Sequence, residues 1–261
     1  MKRVHIVGCP RSGTTLMFEL IATCFANDGY CEHEKSIFED PEGAPELFFS
    51  KQPSDIKYLE KIFKLDPNLY VICMIRDPRS VLTSIHRSRP DRYFCNFRVW
   101  HSCEQAAKRL FNHPRFFRVR YEDLVEHPND VQQQIMIRFP FLTKKFAFSE
   151  YEQVVRPSEK AINALGGLRP LSMDRVKGWK GHLPRIKSEL SRHPELVKVL
   201  IEYGYERDDS WLETLDNVNV EDYPCRYPRS EQLLKTLENK IRIWRKTRRY
   251  IARHQLNRHK G

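Results

Sequence analysis

The stretch that most constrains this chain lies almost at its start: Val4-His5-Ile6-Val7-Gly8-Cys9-Pro10-Arg11-Ser12-Gly13-Thr14-Thr15-Leu16. An apolar, partly β-branched run enters a turn of Gly, Pro and Ser. Leu16, Phe18, Leu20, Ile21 and Phe25 then follow at helical spacing. The pattern predicts a strand, a tight loop and a helix. Gly8 and Gly13 let the loop curl so that its N–H groups converge on one point, and the helix that follows turns the positive end of its dipole to the same point. Such a loop is a cradle for an anion.

The spacing of the loop, Gly8, four residues, Gly13 and two further positions, is that of a Walker P-loop with one departure: position 14 is Thr where a nucleoside triphosphatase carries Lys. That Lys serves the β- and γ-phosphates, so its absence argues against a triphosphate ligand and against a small-molecule kinase, the rival within the same fold. Arg11 supplies a planar fork suited to a sulfate or phosphate oxygen.

Further along, the chain keeps a βα rhythm. Residues 30–45 are loop-like and rich in acids (Glu32, Glu34, Glu39, Asp40, Glu42), and residues 47–51 read as a strand ending in Lys51. In an open α/β sheet the carboxyl ends of strands border the ligand crevice, which places Lys51 near the cradle. Residues 54–64 predict a helix capped by Ser54, and the unbroken apolar run 70–75 predicts a strand buried on both faces. Arg76 stands at its end, Asp77 and Pro78 open the next helix, and Ser84 lies about two helical turns further on. A helix over 96–112, a strand over 115–120 and a helix over 186–203 follow, separated by a Pro- and Gly-containing cap over 139–170. The fold expected is a P-loop-like, three-layer α/β fold: a central, mainly parallel sheet flanked by helices, with a helical cap and a basic C-terminal helix.

Pro10-Arg11-Ser12-Gly13-Thr14-Thr15-Leu16 resembles the 5′-phosphosulfate loop of the sulfotransferases that use PAPS (3′-phosphoadenosine 5′-phosphosulfate), in the form seen in bacterial members and tyrosylprotein sulfotransferases. Arg76-Asp77-Pro78-Arg79-Ser80 with Ser84 resembles the family's 3′-phosphate site, and Lys51-Gln52-Pro53 is similar to its Lys-Thr-Pro element. Arg120-Tyr121-Glu122-Asp123-Leu124 matches a further element, and residues 169–180 are similar to its Ser…Gly-Arg-Trp stretch, with Lys177 where Arg is commoner.

The resemblance implies sulfuryl transfer from PAPS to a hydroxyl of a carbohydrate, lipid, phenol or tyrosine, leaving PAP and requiring no metal. Arg11, Ser12, Gly13, Thr14, Thr15, Arg76, Ser84, Tyr121, Lys177, Gly178 and Trp179 would bind the nucleotide, and Arg11 and Lys51 would stabilise developing charge. Glu122 and Asp123 would mainly cap a helix. The general base of the cytosolic animal enzymes is a His two residues beyond the strand-end Lys, where this chain has Pro53. The tyrosylprotein branch uses a Glu after the first helix, and the matching region makes Glu32 the first candidate, then Glu34 and His33.

Charge is distributed unevenly. Of the formal +11, residues 229–261 carry +9 and the first 228 only +2, which argues against nucleic acid as a partner of the core. The chain divides into a core over 1–228 and a basic amphipathic helix over 229–261. Leu233, Leu237, Ile241, Trp244 and Ile251 mark a stripe that docks on the core or, alternatively, lies on an anionic membrane or acidic polymer. A non-catalytic PAPS- or PAP-binding protein held at membranes by this tail is the second rival reading. Without a run of about eighteen apolar residues or a leader pattern, the expectation is a soluble cytoplasmic protein, peripheral at a membrane if the tail binds one. The seven scattered cysteines read as reduced thiols, and His101 with Cys103 is too sparse a pair for zinc.

Overall fold

The computed structural model describes residues 1–43, 45–63, 65–86, 89–155, 171–221, 223–227 and 233–258. The opening run forms β1 (Lys2–Gly8) and passes through the glycine loop into α1 (Thr14–Cys24). Then come β2 (Gly29–Tyr30), β3 (Leu47–Lys51), α2 (Leu59–Phe63), β4 (Leu69–Ile75) and α3 (Pro78–Leu82). A two-stranded antiparallel ribbon, β5 (Ile85–His86) with β6 (Arg89–Tyr93), precedes α4 (Phe97–Lys108) and β7 (Phe116–Arg120). Among the described residues the remaining α-helices are α5 (Tyr121–Glu126), α6 (Pro128–Arg138), α7 (Tyr151–Val154), α8 (Leu183–Arg192), α9 (Glu195–Glu202) and α10 (Leu233–Arg258).

The five-stranded sheet has the order β2-β3-β1-β4-β7 and every pairing in it is parallel. β4 lies between two neighbours, and its alternation feeds two cores. Val71, Cys73 and Ile75 join Ile56, Phe63 and Trp100 on one face, while Ile72 and Met74 join Met17, Ile21 and Phe139 on the other. This is the burial on both faces that a continuous apolar run predicts. The parallel sheet puts the carboxyl ends of β1, β3 and β4 on one edge, where the glycine loop, Lys51 and Arg76 all emerge.

Three local expectations are corrected. The helix expected over 54–64 begins as a 3-10 turn, Pro53–Tyr58, with Gln52 rather than Ser54 at its cap. Asp55 inside that turn accepts hydrogen bonds from Ile37 N (2.6 Å) and Ser36 Oγ (3.1 Å), which ties the tight turn to the neighbouring loop. The helix expected over 186–203 is two helices, α8 and α9, because Pro194 cannot continue an α-helical hydrogen-bond ladder.

The third correction concerns α10. It does dock, but not by the stripe that apolar spacing marks. Tyr250 is buried among core residues and its hydroxyl donates to Asp66, while Thr247 is buried and Ile243 packs against the same core. Arg253 pairs with Asp40 and donates to Phe38 O (2.8 Å). Leu237, Ile241 and Trp244 remain 58, 44 and 52 % exposed. The face that docks is mixed: it carries a tyrosine hydroxyl and an arginine that meet specific partners. In the cap, residues 139–155 are irregular apart from one 3-10 turn and α7; Gly166, Gly167, Arg169 and Pro170 lie outside the described residues.

Candidate active site

The glycine loop is built to leave a space. Gly8 and Gly13 have φ of 149° and 95°, and a Cβ at Gly13 would stand 2.4 Å from the Tyr121 ring. A Cβ at Gly8 would meet Met74 O at 2.4 Å. Both positions therefore need glycine for conformation and for room. Arg11 also adopts a left-handed φ of 76°, an unfavourable conformation for a side chain of its size. Ser12 turns inward: its N–H and its hydroxyl both donate to Cys9 O, at 3.1 and 2.6 Å, so its polar groups brace the loop. Gly13 occupies the N-cap of α1 and no side chain caps that terminus. The first-turn N–H groups at Thr14, Thr15 and Leu16 have no acceptor within the helix and face the dipole's positive end. An anion with oxygens to share fits this donor set.

Lys51 is placed at that terminus. Its Nζ donates to Thr15 Oγ1 (2.9 Å) and the residue is only 1 % exposed, so it is a buried cation rather than a solvated one. Burial pushes the Lys51 ammonium below the ordinary lysine value, against the opposing pull of the Glu34 carboxylate 3.8 Å away. Glu19, one turn along α1 from Thr15, is also buried; desolvation raises its carboxyl, opposed by the Lys51 charge. Sequence reasoning passed over Glu19, although an acid within an otherwise apolar helix stretch was a visible signal. Glu32, His33 and Glu34 are exposed on the loop beside β3, and a Glu34 carboxylate oxygen lies 3.8 Å from the Lys51 ammonium.

A buried polar network holds this acid loop against the sheet. Arg3 donates to Ser36 O, Ile37 O and Glu39 O at 2.9 to 3.1 Å, and to Ser50 Oγ at 2.7 Å. His5 lies between Ser50 Oγ (2.8 Å) and Asp55 Oδ2 (3.3 Å), and burial lowers its ring's affinity for a proton. The alternation Arg3, Val4, His5, Ile6 in β1 was the sequence sign of this network: polar residues on one face of a strand that is buried from Arg3 onward need partners.

The end of β4 supplies the second cluster. Arg76 lays its guanidinium 4.2 Å from the Tyr121 ring centroid and donates to Arg11 O (3.4 Å), while Arg11 Nε donates to Ser84 Oγ (2.7 Å). Arg76, Arg11, Ser84, Gly13 and Tyr121 thus form one connected group. α3 is shorter than two turns, and Ser84 stands beyond its C-cap, Thr83, rather than two helical turns along it. Asp77 caps α3 by accepting from Arg79 N (2.8 Å) and pairs with the buried Arg79 guanidinium (2.7 Å), so its carboxylate is engaged by Arg79 and Arg76 stays with the crevice group. Glu122 accepts from Asp77 N (3.0 Å) instead of capping a helix, which fixes the end of β4 to the start of α5.

The segment over 173–182 closes against α3 through a hydrogen bond from Ser80 Oγ to Val176 O (2.8 Å). Lys177 and Gly178 are exposed there. Trp179 is buried, with the Arg79 guanidinium 3.9 Å from its ring centroid and Trp211 edge-on at 6.5 Å. The arginine covers a face of the indole, so in this conformation Trp179 braces the segment.

Residues 30–139 match the model of the Sulfotransferase family. That span holds Glu32, Lys51, Arg76, Ser84 and Tyr121, and it begins beyond the glycine loop. No curated protein matches the chain. Among solved structures, the sulfotransferase domain from the curacin biosynthetic pathway is 17 % identical, with 69 % of this chain and 90 % of that chain covered and a TM-score of 0.49. The sulfotransferase domain of the Synechococcus PCC 7002 olefin synthase is 16 % identical over 69 % of this chain and 87 % of that chain, with a TM-score of 0.47. Mouse sulfotransferase SULT7A1, solved with PAP, is 11 % identical over 77 % of this chain and 85 % of that chain, with a TM-score of 0.45.

Proposed function

From a chain that resembles the sulfotransferases in its loop motifs and matches their family model over residues 30–139, we propose a PAPS-dependent sulfotransferase acting on a hydroxyl. The observation that carries the reading is the pairing of two anion-ready clusters on one sheet edge. One is the uncapped α1 terminus with Lys51 hydrogen-bonded to Thr15; the other is the Arg76, Arg11 and Ser84 group at the end of β4. A 3′,5′-bisphosphorylated nucleotide presents two anionic ends, and the absence of Lys at position 14 argues against a triphosphate.

In this reading the N–H groups at Gly13, Thr14 and Thr15 hold the 5′ arm, Arg76 and Ser84 hold the 3′-phosphate, and Tyr121 walls the nucleotide side. Lys177 and Gly178 approach from the closing segment, with Trp179 bracing it. PAPS supplies an activated sulfuryl group whose departure leaves charge on the bridging oxygen. Lys51, buried and fixed by Thr15, is the residue suited to neutralise that charge without reorganising, and Arg11 adds a second cation. A carboxylate of the acid loop accepts the acceptor's proton. The resemblance assigns this to Glu32, whereas position beside Lys51 favours Glu34.

Incubation with radiolabelled PAPS and a panel of hydroxylated sugars, lipids, phenols and tyrosine peptides tests the reading. Labelled product that requires Lys51 is expected. PAP binding without transfer to any acceptor class would replace it with the non-catalytic binder, and binding of ATP with magnesium as tight as PAP would replace it with the kinase. Parallel Glu32→Gln and Glu34→Gln variants assign the base: its loss is expected to lower turnover about a hundredfold or more and leave PAP affinity nearly intact.

A further inference from the structure

The docking of α10 leaves a second face to be explained. Through Tyr250, Thr247 and Ile243 the helix is fixed to the core, and Arg253 ties it to the loop at Phe38 and Asp40. Helix geometry then turns Leu237, Ile241 and Trp244 onto another side, spaced by four and three residues, so that they form one stripe. All three are among the exposed large hydrophobic residues of the molecule. Their surround is cationic: across residues 237–249, Lys240, Arg242, Arg245, Arg248 and Arg249 are exposed and Glu238 is the one carboxylate. The Arg248 guanidinium lies 4.8 Å from the Trp244 ring centroid, so charge and indole occupy the same patch.

We infer that this face of α10 binds the surface of an anionic lipid bilayer. Three occupants compete for such a face, and its chemistry separates them. A second copy of the stripe would bring like charges into contact. A water-soluble polyanion would satisfy the cations but leave Leu237, Ile241 and Trp244 in water. An anionic bilayer takes both: the cations meet headgroups while the apolar side chains enter the acyl boundary, where the amphipathic indole is well accommodated. Because the helix is already held by its other face, the folded domain presents the patch ready-made. Among the described residues no helix is long and apolar enough to cross a membrane, so the contact is peripheral.

The test uses the full chain with vesicles of phosphatidylcholine alone or mixed with phosphatidylserine. Co-sedimentation with the mixed vesicles at low salt is expected, and it should be lost on neutral vesicles or at high salt. Leu237→Ser combined with Trp244→Ser should weaken binding at least tenfold with melting unchanged, and Arg245→Glu combined with Arg249→Glu should do the same. Should either variant misfold, quenching of the wild-type emission by brominated lipid reports insertion directly, and no quenching by anionic brominated vesicles would overturn the inference. It would equally be overturned by failure to bind anionic vesicles at low salt, by serine variants that bind as well as wild type, or by concentration-dependent dimerisation that the same variants abolish.

Discussion

Two buried charge clusters sit at different margins of the same sheet, and comparing them separates a site from a structural solution. At the end of β3, Lys51 is buried, displaced from its ordinary titration, and hydrogen-bonded to the first turn of an uncapped helix. Beside the edge strand β7, Glu104 is 2 % exposed, 3.6 Å from Arg118, and burial raises its carboxyl to about 7. Arg118 and Tyr203, which surround it, also line a cavity of about 390 Å³ with Lys108, Glu202 and Arg120. By perturbed titration alone the β7 cluster is the stronger candidate for chemistry. Yet its cations are engaged with neighbouring groups: Lys108 with Glu202 (2.6 Å), Arg120 with Tyr203 O (3.1 Å) and Arg118 with Glu104 (3.6 Å). A displaced pKa records burial; convergence of donors on an open position records readiness for a ligand.

The largest effect is expected at Lys51. Lys51→Ala is expected to reduce sulfuryl transfer by a factor on the order of a hundred to a thousand, the range for loss of a preorganised charge at a reacting group. Full activity in that variant would leave the β3 cluster with no chemical role. Arg76→Ala is the next largest: PAP affinity, read by calorimetry, should fall by about 1.5 to 3 kcal/mol, as for a charged hydrogen bond. An unchanged affinity would remove Arg76 from the nucleotide site.

At the other cluster the expected effect lies in stability rather than turnover. A carboxyl whose folded-state value is raised from 4.5 to about 7 favours the fold fully below pH 4.5 and loses that contribution as pH rises to 7, on the order of 3 kcal/mol. Glu104→Gln should flatten denaturant-measured stability across that window while leaving transfer activity near wild type. A large loss of activity would make the β7 cluster part of the site. The smallest change expected is Tyr250→Phe, which removes the hydroxyl that donates to Asp66 and should lower stability by about 1 to 2 kcal/mol with catalysis unaffected.

What was legible in the sequence was local or set by strand ends. The glycines of the loop, the apolar β4 run and the placement of Lys51 and Arg76 at strand termini each follow from a few adjacent residues and the geometry of a parallel sheet. Pairings between distant segments were not legible. The Arg11 to Ser84 contact joins residues 73 apart, and Asp77 pairs with Arg79 rather than with its chain neighbour Arg76, which is left for the crevice group. The docking face of α10 was misread for a physical reason: apolar spacing measures what avoids water, whereas Tyr250 and Arg253 were selected by partners in loops elsewhere in the chain. The break at Pro194 was legible and was overlooked.

The acid loop is gripped by two arginines, and the two grips differ in how long the chain must be before they can form. Arg3 reaches Ile37 O across 34 positions, whereas Arg253 reaches Phe38 O across 215. Closing the longer span adds only a logarithmic entropic penalty, but it waits until residue 253 has been synthesised. During translation the acid loop is therefore seated first from beneath by β1 and fastened last by α10. Until α10 leaves the ribosome, the loop carrying the proposed base lacks the Arg253 grip.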